Sequence, residues 1–237
     1  MCGRFRQTRS AKILAQQFNA GLLDALNDFD ILPRVNIAPT QPVVVVKQTK
    51  GKPRTITIMR WGLIPAWAKD QSIGNKTINA RSESVETTIS FSDSSRSRRC
   101  LIPADGFYEW KKTGKVRQPY CFEVGEGELF AFAGLWDTWK NPKAETIESC
   151  TILTTTSNEL VEKIHDRMPV IVPADKYDLW LDPEVEDFEA VKEILKPYEA
   201  NAMRQYPVSP ELNSSNNESA TLALPIDETE FQKDLFK

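Results

Sequence analysis

The chain has 237 residues, 41% of them hydrophobic and 27% charged, with a net charge of −3. That balance fits a globular chain large enough to build a core without covalent staples, and it excludes disordered, collagen-like and disulfide-dense classes. No apolar run approaches the ~20 residues that span a bilayer, the basic start lacks a secretory apolar stretch, and Cys2, Cys100, Cys121 and Cys150 form no CxxC pair, so reduced thiols in a cytoplasmic protein are expected.

Charge is unevenly spread. Residues 1–120 carry 20 Lys/Arg against 9 Asp/Glu, and residues 121–237 carry 10 against 24. A basic first half suggests an anionic partner, although two solvated faces of opposite sign account for it equally well.

In chain order, Ser10 followed by Ile13, Leu14 and Phe18 at helical spacing predicts a capped helix. PVVVVKQTK (42–50) and GKPRTITIMRW (51–61) read as two strands around a Gly/Lys/Pro turn. RWGLIPAWAKD (60–70) is aromatic and proline-broken and reads as an ordered loop. SFSDSSRSRR (90–99) reads as a polar connection. CLIPADGFYEW (100–110), PYCFEV (119–124), GELFAFAGLWDTW (127–139) and ESCTILTTT (148–156) read as strands, with a turn over 111–118. SNELVEKIHDRMP (157–169) predicts a short helix capped by Ser157 or Asn158 and ended by Pro169. Helices are also predicted over 173–181 and 187–200, and SPELNSSNNESA (209–220) reads as a flexible, loop-like segment. Many strands, scattered helices and no βαβ alternation predict an α+β fold, one domain over 1–237, on a mostly antiparallel, barrel-like sheet. The segment from about 212 onward is expected to be flexible.

Five features bear chemistry. Cys2, with Met1 removed, would carry an α-amine and a thiol on one residue. Such a pair condenses with an aldehyde to an imine and closes to a five-membered thiazolidine; a small residue after the start is the plain alternative. The single histidine, His165, falls at the end of the predicted helix, where the dipole and Asp166 would favour its protonated form and suit it as a general acid; a surface capping role competes. Glu109 would share a strand face with Phe107 and have a raised pKa, unless it simply pairs with Lys111 or Lys112. Asn79 and Arg81 could hold a sugar and a phosphate, or Asn79 could cap a helix. Arg4, Arg6 and Arg9 form a cationic cluster around Cys2, and Trp61 and Trp67 could stack on bases, although most tryptophans are core. One histidine makes a Cys/His metal site improbable.

The segments MCGR (1–4), NIAPTQ (36–41), RWGLIPAWAK (60–69), INARSE (78–83), RRCLIPADGFYEW (98–110) and IHDRMPV (164–170) together resemble the SRAP (SOS-response-associated peptidase) family, in the family's order. The resemblance implies recognition of abasic sites in single-stranded DNA and a reversible thiazolidine DNA–protein cross-link through Cys2 once Met1 is removed. By position it makes Cys2 the nucleophile, Asn79 the holder of the opened sugar, Glu109 the catalytic carboxylate and His165 the acid/base for ring opening and reversal. It gives Arg4 and Arg81 to phosphates, with Gly3 on the approach, Pro39 and Trp67 to a wall against which DNA kinks, and Thr154 to the pocket lining. No metal, cofactor or membrane is implied, and a monomer suffices. Three other readings stay open: an N-terminal-nucleophile amidohydrolase, since class II glutamine amidotransferases also begin Met-Cys-Gly; a peptidase limited to removing its own Met1; and a non-covalent single-strand-binding module.

Overall fold

The computed structural model describes residues 2–22, 33–114, 116–141 and 143–227. In chain order the strands are β1 (Phe5–Gln7), β2 (Gly21–Leu22), β3 (Arg34–Ile37), β4 (Pro42–Lys47), β5 (Thr55–Trp61), β6 (Asn79–Arg81), β7 (Arg99–Ala104), β8 (Gly106–Thr113), β9 (Val116–Val124), β10 (Phe130–Lys140), β11 (Thr146–Thr156), β12 (Arg167–Pro169) and β13 (Met203–Pro207). The α-helices are α1 (Ala11–Phe18), α2 (Ser92–Ser97) and α3 (Tyr177–Leu181).

β11, β10, β7, β4 and β5 follow one another around a sheet, and β5 returns to β11 through Ser149↔Arg60 and Cys150↔Trp61. The five strands therefore close into a barrel, which leaves no free edge among them. Pairing is antiparallel except where β11 meets β5 and β6 and where β2 meets β5. A second sheet, ordered β13-β9-β8-β1-β3, packs against the barrel. The fold is α+β on a mostly antiparallel barrel, as expected.

The apolar runs follow from this double packing. In β4, Val43 and Val45 enter a core shared with the second sheet, including Phe5, Phe107, Phe122 and Phe132, while Val44 and Val46 face α1, α3 and the turns over 188–195. A strand buried on both faces needs a continuous apolar sequence rather than an alternating one. α1 buries Leu14 and Phe18 and ends at Asn19 in the left-handed region. Ser10 stands at its N-cap position, but its side chain makes no capping hydrogen bond.

Arg99 joins the helical layer to the barrel. It is 1% exposed, and all five guanidinium N–H groups point at backbone carbonyls: Nε at Trp180, Nη1 at Ser95 and Arg96, and Nη2 at Asp182 and Val185.

Four local expectations are corrected. The turn expected over 111–118 is mostly strand, since β8 runs on to Thr113 and β9 begins at Val116. The stretch 157–169 forms turns, not a helix, and then the three-residue strand β12. Asn158 caps the Leu160 and Val161 amides, but β11 captures Arg167–Pro169 in antiparallel register and pulls the chain out of helical geometry. The polar stretch 90–99 contains α2, whose Ser94 and Ser95 are buried. The segment 188–195 is a 3-10 helix with Phe188, Val191, Ile194 and Leu195 buried.

Candidate active site

β1 carries the N-terminal residues into the middle of the second sheet, with Phe5 opposite both Ile37 and Phe107. Cys2 is fully buried in the shared core. Its carbonyl accepts a hydrogen bond from Asn79 Nδ2 at 2.8 Å, and the Asn79 Oδ1 atom is buried with no partner among the described residues. Asn79 thus opens β6 rather than capping a helix. β6 runs parallel to β11, with Ile152 opposite Asn79 and Thr154 opposite Arg81. On its other side β11 places Thr154 opposite Pro169 of β12. One strand therefore seats Thr154, fully buried, between Arg81 and the segment that follows His165.

Glu109 sits on β8 and is 4% exposed. Burial pushes its carboxyl up to about 7. Its environment is thus buried rather than that of an exposed strand edge. Burial also holds the Cys2 thiol well above its ordinary range, and the Glu109 carboxylate adds to that rise. Two groups that each resist ionisation thus share one enclosure.

His165 departs from expectation. Its turn lacks a regular helix, so no aligned dipole favours the cation. Burial leads the causes that lower its pKa, against the opposing pull of Asp166. The Arg167 amide donates to Nδ1 at 3.0 Å. Asp166 Oδ1 also lies 2.9 Å from Nδ1, but an Nδ1 that accepts the fixed backbone N–H cannot donate to that carboxylate. Asp166 is 87% exposed, so the backbone contact decides the tautomer: neutral His165 carries its proton on Nε2.

The cationic cluster is divided. Arg6 pairs with Asp105 and Glu123, and Arg9 lies beside Asp105 and donates to the Gly127 carbonyl. Among the described residues Arg4 makes no ion pair with a carboxylate; its Nη1 donates to Asn36 Oδ1 and the Leu212 carbonyl. Gly3 and Arg4, with Trp110, Arg117 and Asn213, line an open cleft of about 380 Å³. Arg81 is exposed. Trp61 is core, its Nε1 donating to the Ile78 carbonyl. Trp67 is 51% exposed.

The Trp67 loop is rigidly braced. Gly62 has φ +121°, and a Cβ there would stand 2.3 Å from the Gly74 carbonyl oxygen, so the two arms of the loop meet only through glycine. The Ile64 amide bonds Ser149 Oγ, the Ala66 amide bonds Asp137 Oδ2, and Trp139 Nε1 bonds the Ala68 carbonyl. Pro39 is half-buried in the turn after β3, where the Thr40 amide bonds the Trp61 carbonyl. Among the described residues no group of three or more His, Cys, Asp or Glu is placed to hold a metal, and no helix is long and apolar enough to cross a membrane.

The sequence reading missed two parts of this neighbourhood. Arg167 forms a two-pronged ion pair with Glu83 (2.6 and 2.9 Å) and donates to the Thr154 carbonyl, tying β11 and β12 to the turn that follows β6. Both residues lie inside the quoted motifs, which was the available signal. Asn36, also inside a quoted motif, is the other.

Comparison with known proteins gives concordant findings. The family model for SOS response associated peptidase (SRAP) matches residues 1–215. Abasic site processing protein YoqW of Bacillus subtilis (strain 168) is 41% identical over 223 residues, covering 94% of this chain and 98% of its own. Abasic site processing protein HMCES of Gallus gallus is 33% identical over 208 residues, covering 77% of this chain and 61% of its own. A crystal structure of a Bacteroides thetaiotaomicron protein shares the fold with a TM-score of 0.86 at 23% identity, over 95% of this chain and 100% of that one.

Proposed function

Because the chain belongs to the SOS response associated peptidase family, we propose that it processes abasic sites in single-stranded DNA by forming a reversible thiazolidine cross-link through Cys2 after removal of Met1. The observation that carries this reading is the enclosure of Cys2 with Glu109, a carboxyl pushed up to about 7. A group titrating there can both accept and return a proton near neutrality, as a two-stage condensation requires.

The steps balance as follows. An abasic deoxyribose is mostly a closed hemiacetal; the imidazolium form of His165 gives its Nε2 proton to the ring oxygen as the ring C–O bond breaks, and the resulting imidazole takes back the former C1′ hydroxyl proton as the aldehyde forms. The Cys2 amine adds to the aldehyde carbon, and the carbinolamine loses water to give an imine. Glu109 takes the proton from the adding nitrogen and returns it to the departing hydroxyl. The Cys2 sulfur then adds to the imine carbon, and the thiol proton passes by way of Glu109 to the imine nitrogen. Without a proton acceptor at hand the buried thiol would stay un-ionised. An imine left open would permit lyase-type loss of the 3′ phosphate; ring closure removes that route. Asn79 holds the opened sugar, with Thr154 lining the pocket, Arg4 and Arg81 meeting phosphates beside Gly3, and Pro39 and Trp67 forming the wall against which the strand bends. Single-stranded substrate avoids the cost of unpairing. Action as a cytoplasmic monomer belongs to the same reading.

The test is to incubate the protein with an abasic single-stranded oligonucleotide and resolve the mixture on a denaturing gel. A covalent species is expected with wild type and absent with Cys2→Ala. An adduct formed equally well by Cys2→Ala overturns the mechanism.

A further inference from the structure

We infer that Asn36 and the Leu212–Glu218 segment are the positioning apparatus for Arg4, holding its guanidinium so that Nη2 is presented to a phosphate in the adjoining cleft.

Asn36 is fully buried. Its Nδ2 donates to the Ser214 and Asn217 carbonyls at 2.9 and 2.7 Å. Those two acceptors fix which way the amide faces, because a flipped amide would aim oxygen at oxygen. Oδ1 must then point at Arg4 and accepts from Nη1 at 2.6 Å, while the Leu212 carbonyl accepts from the same nitrogen at 2.9 Å. Both Nη1 hydrogens are thereby used. The Trp110 ring lies under the guanidinium, 5.7 Å from Cζ, and Trp110 Nε1 donates to Asn213 Oδ1 of the same segment. The segment is anchored at its far end by Glu218, whose carboxylate accepts from the Val35 and Asn36 amides and from Arg34.

The other edge of the guanidinium is unspent. Nε is buried without a hydrogen-bond partner, and Nη2 makes no hydrogen bond among the described residues. Nε is closed off from solvent, so Nη2 of this half-buried arginine is the donor left to meet a phosphate oxygen in the cleft. Among the described residues no side chain of this clamp has a hydrogen bond to Cys2; its one link to the thiol is the Arg4 backbone carbonyl, 3.9 Å from Cys2 Sγ. Asn36 and the segment act through Arg4, so they set binding and leave the chemistry of Cys2 alone. A purely structural role would have Asn36 only anchor the segment to β3.

The inference rests on the single-strand reading above, and its test uses reversible binding of an intact, non-abasic oligonucleotide, which needs no cross-link. Affinity is measured by fluorescence anisotropy against salt for wild type, Arg4→Ala, Asn36→Ala and the double variant. Loss of one phosphate contact on single-stranded DNA lowers the slope of log K against log salt by ~0.7. Arg4→Ala and Asn36→Ala are each expected to show that drop and to weaken binding about fivefold. The double variant is expected to be no weaker than Arg4→Ala alone. On abasic substrate at saturating concentration, the Asn36→Ala adduct rate is expected to stay within about twofold of wild type, as binding-only loss requires.

Glu218→Ala provides a second variant that leaves Asn36 intact. Removing an acid near a DNA site tightens binding if charge alone matters; loosening the clamp weakens it, and weakening is expected only where Arg4 is present. Additive losses in the double variant, tighter binding by Glu218→Ala, or a wild type without salt-dependent binding would each overturn the inference. Intact binding with no adduct on abasic DNA would sink the cross-linking reading and leave this one standing.

Discussion

Replacing Glu109 with glutamine removes a buried ionisation and keeps the side chain's shape. The carboxyl has an ordinary pKa of 4.5 and is pushed up to about 7 by burial. The fold therefore favours its protonated form. The native state binds more protons than the unfolded state between those values, so stability is greatest below 4.5 and falls as pH rises through 7. At 1.36 kcal/mol per pH unit, a gap of about 2.5 units is worth about 3 kcal/mol. His165, with its pKa lowered in the fold, runs the opposite way, stability rising with pH up to its unfolded value. The informative quantity is thus the difference between wild type and Glu109→Gln, prepared with the same N-terminus, in urea unfolding from pH 4.5 to 8. Glutamine is expected to gain about 3 kcal/mol on wild type across that range, nearly all of it by pH 7. A difference that stays flat within about 0.5 kcal/mol would refute both the raised pKa and the proton-shuttling role built on it.

Other substitutions separate architecture from function. Arg99→Lys offers three donors where five carbonyls now each have one, so at least two lose a charged donor; a loss of about 2–5 kcal/mol in urea unfolding is expected, and less than about 0.5 kcal/mol would contradict the five-carbonyl geometry. Gly62→Ala places a methyl group against the Gly74 carbonyl at a positive φ and should cost about 2–4 kcal/mol, read as a lowered melting temperature; an unchanged melting temperature would show that the loop arms can separate freely. Trp67→Ala should leave stability within about 0.5 kcal/mol yet weaken single-strand binding about tenfold, as loss of a stacked ring does; unaltered binding would remove Trp67 from the DNA path.

What the sequence made visible follows from which forces act locally. β4 and β10 were legible because a strand packed on both faces must be apolar throughout, and Val43 to Val46 and Phe130 to Trp136 are. α1 was legible because Leu14 and Phe18 repeat at helical spacing. The stretch around His165 has helix-like spacing too, but β11 supplies backbone partners for Arg167–Pro169, and a sheet 11 residues away in sequence outweighs local preference. With the helix goes its dipole, which is why the expected sign for His165 was reversed. Cys2, Asn79 and Glu109 were legible as residue types in motifs. Their juxtaposition was not, because it depends on β6 joining β11 in parallel more than 70 residues down the chain. The segment after Leu212 was least legible of all. It meets Asn36 and Arg4 mainly through its own backbone carbonyls, which every sequence possesses.

The burial of Cys2 sets a clock on biosynthesis. Phe5 finds Ile37 early, but its other neighbour, Phe107, is made about a hundred residues later. At roughly 5–20 residues per second on the ribosome, the first few residues wait about 5–20 s for the strand that seals them in. Excision of Met1 is open to an external processing enzyme during that interval, while the leading peptide bond is still extended and accessible. Under the proposed cross-linking mechanism, a chain that folds before the cut leaves its thiol enclosed and its amine capped, so the fraction able to cross-link would be settled largely during translation.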